Sequence, residues 1–222
     1  MKTQIFAAKT DILKSPENFQ HFYNSASIER RNKIDRFKFE KDKILSLGAE
    51  ILLKKALAES GIYLDELRYA YNAQQKPLLI GHNDIHFNLS HSGNTVLCAI
   101  SDEEIGCDVE LIDEIDLNIA DRFFNKSEAI LINKQSGEEA KRDMFFRLWT
   151  LKESFMKATG LGFHLSPEKF SIVFDENAIR VEQSLDNKTY FFQEYDLQDG
   201  YKYACCSFAN NLPNSIKMVN LK

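Results

Sequence analysis

The sequence predicts an α+β protein, and two observations lead to that class. Amphipathic helical segments occur in the first quarter and in the middle of the chain, whereas the C-terminal third is rich in strand-like alternation. Strands that follow one another through short turns pair antiparallel, so mostly antiparallel sheets are expected. With 222 residues and 44% hydrophobic composition, the chain can bury a core without disulfides or structural metal.

The first half mixes strands and helices. A strand is expected at 4–9, with helices at 16–25 and 42–60. The second helix places leucines among charges, as a helix lying on a core does, and Gly61 ends it. Strands follow at 68–71, 87–90, 96–101 and 105–111, with a turn at 92–95.

The second half begins with helices and finishes with strands. Helices are expected at 119–124, 127–133 and 142–159, and Gly160 ends the last of them. Two strand pairs follow, at 170–174 with 178–183 and at 189–196 with 201–208. Turns at 175–177 and 199–200 join their members.

The charge of the chain excludes some classes of function. The formal net charge of −5 argues against a dedicated nucleic-acid binder. No apolar run reaches membrane-spanning length, and the four cysteines lie in apolar strand-like runs without metal-ligand spacing. Both observations favour a cytoplasmic protein with reduced thiols.

Two segments carry opposite local charge. Residues 29–43 hold seven basic and four acidic side chains, while residues 101–116 hold eight acidic and no basic ones. Such blocks are usually solvated faces, but together they suggest an anion held beside a metal.

The strand IGCDVEL places Asp108 and Glu110 on one face, because side chains alternate along a strand. Two adjacent carboxylates repel each other unless a cation lies between them, and hard oxygen ligands suit Mg²⁺. The alternative is a strand with one solvated polar face, which is common in antiparallel sheets.

The helix MFFRLWTLKESFMK carries an apolar arc that includes Lys152. A lysine on a buried face needs an anionic partner or must reach the rim. Glu153 and Lys157 lie one turn apart, which alone indicates only a common ion pair. In FNLSHSGN, Ser90 and His91 follow a strand; they suit a phosphate through several hydrogen bonds, or form an ordinary polar turn.

In this order, FNLSHSG, IGCDVE and FFRLWTLKESFMKATGLG resemble the 4′-phosphopantetheinyl transferase superfamily, in its larger surfactin-synthetase-activating type. The resemblance runs from about residue 28 to 208. It implies a pseudo-twofold monomer of two similar halves, each a mostly antiparallel sheet packed with helices. The halves are expected at 1–104 and 105–222, with the active site in the cleft between them.

The resemblance also implies an activity: transfer of the phosphopantetheine of coenzyme A to a serine of an apo carrier protein, releasing adenosine 3′,5′-bisphosphate. It implies Mg²⁺ ligands at Asp108, Glu110 and Glu153. Glu153 is the expected base, Lys157 is expected to stabilise the leaving phosphate, and Glu128 to support them. Lys152 is expected to reach the pyrophosphate.

Contacts to the nucleotide and its phosphates are implied for Arg30, Lys33, Arg36, Ser46, Lys76, Ser90 and His91. Two positions depart from the family pattern: Leu45 replaces a frequent basic residue, and Gln75 replaces the usual glycine before Lys-Pro. The segment at 117–124, with Phe123 and Phe124, matches the one that meets the carrier, although paired phenylalanines are more often core.

Other functions remain open from the residues. A Mg²⁺-dependent hydrolase of the coenzyme A pyrophosphate would need the same carboxylates but no carrier. An inactive binding module would tolerate a disrupted carboxylate trio, yet all three side chains are present.

Overall fold

The computed structural model describes residues 2–64, 66–176 and 178–222, and these form an α+β fold, as the sequence predicts. Asn177 of the expected turn at 175–177 lies outside the described residues. The strands are β1 (Gln4–Lys9), β2 (Tyr69–Tyr71), β3 (Pro77–Leu79), β4 (His86–Ser92), β5 (Thr95–Ser101), β6 (Ile105–Leu111), β7 (Ser171–Phe174), β8 (Ile179–Glu182), β9 (Phe191–Tyr195), β10 (Tyr201–Ser207) and β11 (Lys217–Met218). The helices are α1 (Pro16–Asn24), α2 (Ile28–Asp35), α3 (Glu40–Glu59), α4 (Ala120–Phe123), α5 (Lys126–Asn133) and α6 (Glu138–Thr159).

Helix α2 and strands β3 and β11 were not expected from the sequence. Helix α2 is strongly polar and buries only Ile34, so it carries no apolar stripe that periodicity would reveal. Its start is nevertheless marked, because the Ser27 hydroxyl accepts a hydrogen bond from the Arg30 amide. Strands β3 and β11 are only three and two residues long, too short for an alternation pattern.

Two sheets form the centre of the protein. The first has the strand order β11-β1-β5-β4 and the second β6-β10-β9. Helix α3 buries its apolar residues against the first sheet, and α6 does so against the second. A third apolar cluster joins the two sheets, with members such as Leu97, Val109 and Tyr203. No helix among the described residues has both the length and the apolar character needed to cross a membrane.

A segment near the C-terminal end of the described residues lies in the first sheet. Strand β11 pairs in parallel with β1, with Phe6 opposite Lys217, so the C-terminal segment completes the sheet of the first half. Leu221 is 1% exposed and belongs to the apolar core of that half. Burial of Leu221 therefore holds the C-terminal segment against the first half. Sequence patterns could not predict this packing, because Leu221 is far along the chain from the residues it packs against.

Strands β4 and β6 meet where the two sheets adjoin, along what we call the seam. Side chains rather than paired backbones make the hydrogen bonds here. The Asn88 side-chain oxygen accepts the Cys107 amide at 2.9 Å, and the Ser92 hydroxyl accepts the Leu111 amide at 3.1 Å. The seam therefore holds β6 at a fixed register beside β4.

Gly106 allows α6 to lie directly on β6. A Cβ at this position would be 2.0 Å from the Ser154 carbonyl oxygen and 2.3 Å from the Ala158 nitrogen, both backbone atoms. We expect Gly106→Ala to lower the free energy of unfolding by about 3 kcal/mol, because helix and strand would have to separate. Chemical denaturation would measure this, and an unchanged midpoint would show that the two backbones are not in such close contact.

Gln75 takes a left-handed conformation, with φ of 66°, in the turn between β2 and β3. Non-glycine residues are strained there, so the glycine that the resemblance implies at this position would fit the turn with less strain. We expect Gln75→Gly to raise the free energy of unfolding by about 1 kcal/mol. Gln74→Gly is the matched control, since Gln74 is not at positive φ and should only lose stability. A loss of stability in both variants would contradict the prediction.

Candidate active site

The close packing of α6 on β6 brings three of the expected residues into direct contact. The Lys157 ammonium donates to Asp108 Oδ1 at 2.6 Å and to the Ser90 hydroxyl at 3.0 Å. The Ser90 hydroxyl in turn donates to Asp108 Oδ1 at 2.7 Å. Strand β4, strand β6 and helix α6 thus each contribute one member of a hydrogen-bonded cluster.

Glu153 and Glu110 lie on either side of this cluster. Glu153 is 7% exposed and lies one helical turn before Lys157. Glu110 is half-buried, and its Oε2 accepts a hydrogen bond from the Ser92 hydroxyl at 2.7 Å. The negative charge of Asp108 raises the pKa of both glutamates.

The pKa values of these groups show the strength of the mutual interaction. Burial raises the pKa of Glu153, and the charges of Asp108 and Glu110 add to this; Lys157 opposes them, leaving a pKa of about 7. Burial and Asp108 likewise raise the pKa of Glu110. Burial lowers the pKa of Lys157, but Asp108 and Glu153 outweigh it, and the net pKa is raised. Lys157 is therefore positively charged, and the carboxylates are short of positive charge.

Two carboxylate oxygens of the cluster, Asp108 Oδ2 and Glu153 Oε1, are buried and have no hydrogen-bond partner among the described residues. Buried acceptors are normally satisfied, so these oxygens fit a further cation. Within the described residues, however, no three His, Cys, Asp or Glu side chains already converge as a metal-binding group. Because Mg²⁺ needs only one or two carboxylates when substrate phosphates complete its shell, the donor set still suits it.

Comparisons with known proteins bear on this site. Residues 14–103 match a family described as 4′-phosphopantetheinyl transferase, N-terminal, and residues 104–206 match the 4′-phosphopantetheinyl transferase superfamily. The 4′-phosphopantetheinyl transferase Sfp of Bacillus subtilis is 32% identical over 98% of this chain and 97% of its own. The chain belongs to the 4′-phosphopantetheinyl transferase family. A second relative, the 4′-phosphopantetheinyl transferase gsp of Aneurinibacillus migulanus, is 33% identical over 88% of this chain and 82% of its own.

A solved structure also aligns with part of the chain. The holo-[acyl-carrier-protein] synthase of Thermotoga maritima covers 47% of this chain and 61% of its own, at 19% identity and a TM-score of 0.41.

Two residues for which the transferase pattern implies roles in the site lie elsewhere. Lys152, expected to reach the pyrophosphate, is 0% exposed, and its ammonium is 2.8 Å from Glu128 Oε2. It also donates to the carbonyl oxygens of Pro167 and Phe170. Glu128, expected to support catalysis, is equally buried and accepts the Ile172 and Asn125 amides. These internal bonds join α5, α6 and β7.

The basic residues implied for the nucleotide form a second group around α2 and α3. Arg30 donates to Ser46 at 3.2 Å and to the buried Glu50 at 3.1 Å. Lys33 lies beside Arg30, and burial together with the charge of Arg30 lowers the pKa of Lys33. A cavity of about 100 Å³ brings Arg30 and Lys33 together with Gln75. Glu50 pairs with Arg30 and Glu29 also lines the cavity, so two carboxylates lie near these two cations.

Lys76 connects the turn that contains Gln75 to the start of β6. Its ammonium is 2.5 Å from Glu104 Oε2 and 3.3 Å from the Ile105 carbonyl oxygen, and the side chain is 8% exposed. Burial raises the pKa of Glu104, but the side chains of His86 and Lys76 outweigh this and hold it at about 2. His91 and Arg36 have exposed side chains, at the end of β4 and just beyond α2.

The segment at 117–124 divides between core and surface. Phe124 is 3% exposed and packs edge-on against Phe145 at 5.1 Å between ring centroids. Phe123 is only half-buried, with its ring 5.1 Å from that of Trp149. Phe123 and Trp149 therefore remain partly open beside Glu110.

Sequence reasoning missed Glu50 and Ser92. Glu50 is 1% exposed and binds the Ser27 amide and the Arg30 guanidinium, thereby orienting a cation of the proposed nucleotide site. A glutamate within the apolar run GAEILL was the available signal. For Ser92, the signal was alternation along β4, which places it on the same face as Ser90.

Proposed function

We propose that this protein transfers the 4′-phosphopantetheine group of coenzyme A to a serine of an apo carrier protein. The observation that carries the proposal is the cluster of Asp108, Lys157 and Ser90 with Glu153 beside it, located between the two halves. Membership in the transferase family supplies the reaction class, and the buried, unpartnered oxygens of Asp108 and Glu153 supply the position for a cation.

We assign the cation as Mg²⁺, held by Asp108, Glu110 and Glu153 together with the pyrophosphate. When bound, it supplies charge that polarises the attacked β-phosphate and balances the leaving bisphosphate. The fit rests on hard oxygen donors and on the two oxygens without partners.

In the reaction, the carrier serine oxygen forms a bond to the β-phosphorus, and the bond from that phosphorus to the bridging oxygen breaks. Adenosine 3′,5′-bisphosphate leaves. The proton of the serine goes to Glu153, whose carboxylate has a buried oxygen for which the described residues supply no hydrogen bond. Lys157 remains charged and stabilises the negative charge that develops on the leaving phosphate.

The residues around α2 are proposed to hold the other end of coenzyme A. Arg30, Lys33 and Arg36 supply positive charge, Ser46 and His91 supply hydrogen bonds, and Lys76 lies where the turn meets the second half. The active site then occupies the cleft between the halves at 1–104 and 105–222. Because one chain contains both halves, we propose a monomer. The four free, buried cysteines support a reducing, cytoplasmic location.

Incubation with coenzyme A, Mg²⁺ and a panel of apo carriers, followed by mass spectrometry of each carrier, tests the proposal. We expect a phosphopantetheine adduct on the carrier serine and release of bisphosphate only when a carrier is present. Bisphosphate release at the same rate without carrier would overturn the proposal in favour of hydrolysis.

A further inference from the structure

The hydroxyl of Ser92, at the end of β4, is held in a single orientation by the seam. It accepts the Leu111 amide at 3.1 Å and lies 2.7 Å from Glu110 Oε2. A serine hydroxyl has one proton, and the bond from Leu111 occupies one of its lone pairs. The proton is therefore free to be donated to Glu110, and the β6 backbone itself determines where the hydroxyl points.

Trp149 is a further neighbour of Glu110. The Trp149 side chain, like the Ser92 hydroxyl, lowers the pKa of Glu110. The indole ring is stacked on Phe145 at 6.4 Å and meets Phe123 edge-on at 5.1 Å, so it has little freedom to move. Glu110 therefore lies near an indole that packing holds in place, while the Ser92 hydroxyl supplies its hydrogen bond.

The restraint acts against electrostatic repulsion. Asp108 lies two residues away on the same strand face, and its charge raises the pKa of Glu110. Unrestrained, the half-buried Glu110 would lower its energy by turning away from Asp108 towards solvent. Ser92 offsets this repulsion by donating a hydrogen bond to Glu110, which favours the charged carboxylate in its inward-facing position.

We propose that Ser92 is a positioning residue, which holds Glu110 facing Asp108 so that both carboxylates are available to one divalent cation. The inference rests on the proposed function for the identity of the cation site. It assigns to Ser92 a role different from that of its neighbour Ser90, whose hydroxyl contacts Asp108 and Lys157 directly.

The test compares Ser92→Ala with Ser92→Thr, which keeps the hydroxyl, and with Asn88→Ala as a matched control. Asn88 also holds a β6 amide, that of Cys107, but its side chain contacts no carboxylate of the cluster. The chain has one tryptophan, Trp149, which lies near enough to Glu110 to lower the pKa of that carboxyl. Titration with Mn²⁺, followed by quenching of its fluorescence, therefore reports cation binding without any turnover.

We expect Ser92→Ala to weaken Mn²⁺ binding by about tenfold or more, as loss of an orienting hydrogen bond to a metal ligand does. Ser92→Thr should restore binding, and Asn88→Ala should lose stability yet bind Mn²⁺ as the wild type does. In the transfer assay, Ser92→Ala should need more Mg²⁺ for half-maximal rate and recover most of its kcat when Mg²⁺ is saturating.

Wild-type Mn²⁺ affinity in Ser92→Ala, or an equal loss in Asn88→Ala, would overturn the inference. If Ser92→Ala does not fold, Ser92→Cys keeps the side-chain volume with only a weak donor and is judged by the same criteria. A wild-type protein that primes no carrier would instead overturn the proposed function, whatever the affinities of the variants.

Discussion

Replacing Asp108 with asparagine is expected to lower the rate of phosphopantetheine transfer by about 10²–10³-fold or more. Asp108 is 2% exposed, accepts bonds from Lys157 and Ser90, and directs its second oxygen into the site without a partner. The amide has the same shape but removes the charge that both the cation and Lys157 need. Steady-state kinetics with an apo carrier, at several Mg²⁺ concentrations, would measure the loss.

Asp199→Asn provides the matched control for this substitution. Asp199 is also paired with a lysine, Lys9 at 2.9 Å, and likewise has a buried oxygen without a partner. It lies outside the carboxylate cluster, so its loss should affect stability and leave transfer unchanged. A near-wild-type rate for Asp108→Asn would show that the cation is held elsewhere.

Lys152→Met is expected to lower the free energy of unfolding by about 3–5 kcal/mol, because it leaves Glu128 as an unpaired charge in the core. Both side chains are 0% exposed. Burial lowers the pKa of Lys152, and the Glu128 carboxylate opposes this most strongly, with a smaller contribution from Glu168. Chemical denaturation of Lys152→Met, Glu128→Leu and the double variant would measure the coupling, and the double variant should lose less than the sum of the two.

Lys157→Met is the comparison variant for Lys152→Met, and we expect it to affect activity more than stability. Its side chain is 24% exposed, so its removal should cost less stability but far more activity. If Lys152→Met instead weakened coenzyme A binding without loss of stability, the lysine would contact the pyrophosphate after all.

For the strand IGCDVEL, the sequence predicted the position of the strand but not the burial of its carboxylates. Alternation and the apolar run correctly located β6, Ile105–Leu111. Alternation also left open whether the carboxylate face is solvated, and the structure answers that Asp108 is buried. The answer depends on α6, whose Lys157 is 49 residues away along the chain. No local pattern states which helix will cover which strand.

Lys152 illustrates a different limit. Its place on an apolar arc correctly required either an anionic partner or access to the rim. The residues alone did not choose between these, and the motif resemblance pointed towards the substrate. Glu128, the partner that the structure shows, lies in a short helix whose capping box with Asn125 already explains a glutamate at that position. Its second role depends on three-dimensional packing.

The seam also determines how the two sheets separate. The amides of Cys107 and Leu111 are each held by a side chain of β4, whereas strand pairing joins β6 to β10. These two amides can therefore exchange their hydrogens with solvent when the halves move apart, while the second sheet remains intact. Their exchange rates should report opening of the seam. If coenzyme A binds at the proposed site between the halves, it should slow both rates together.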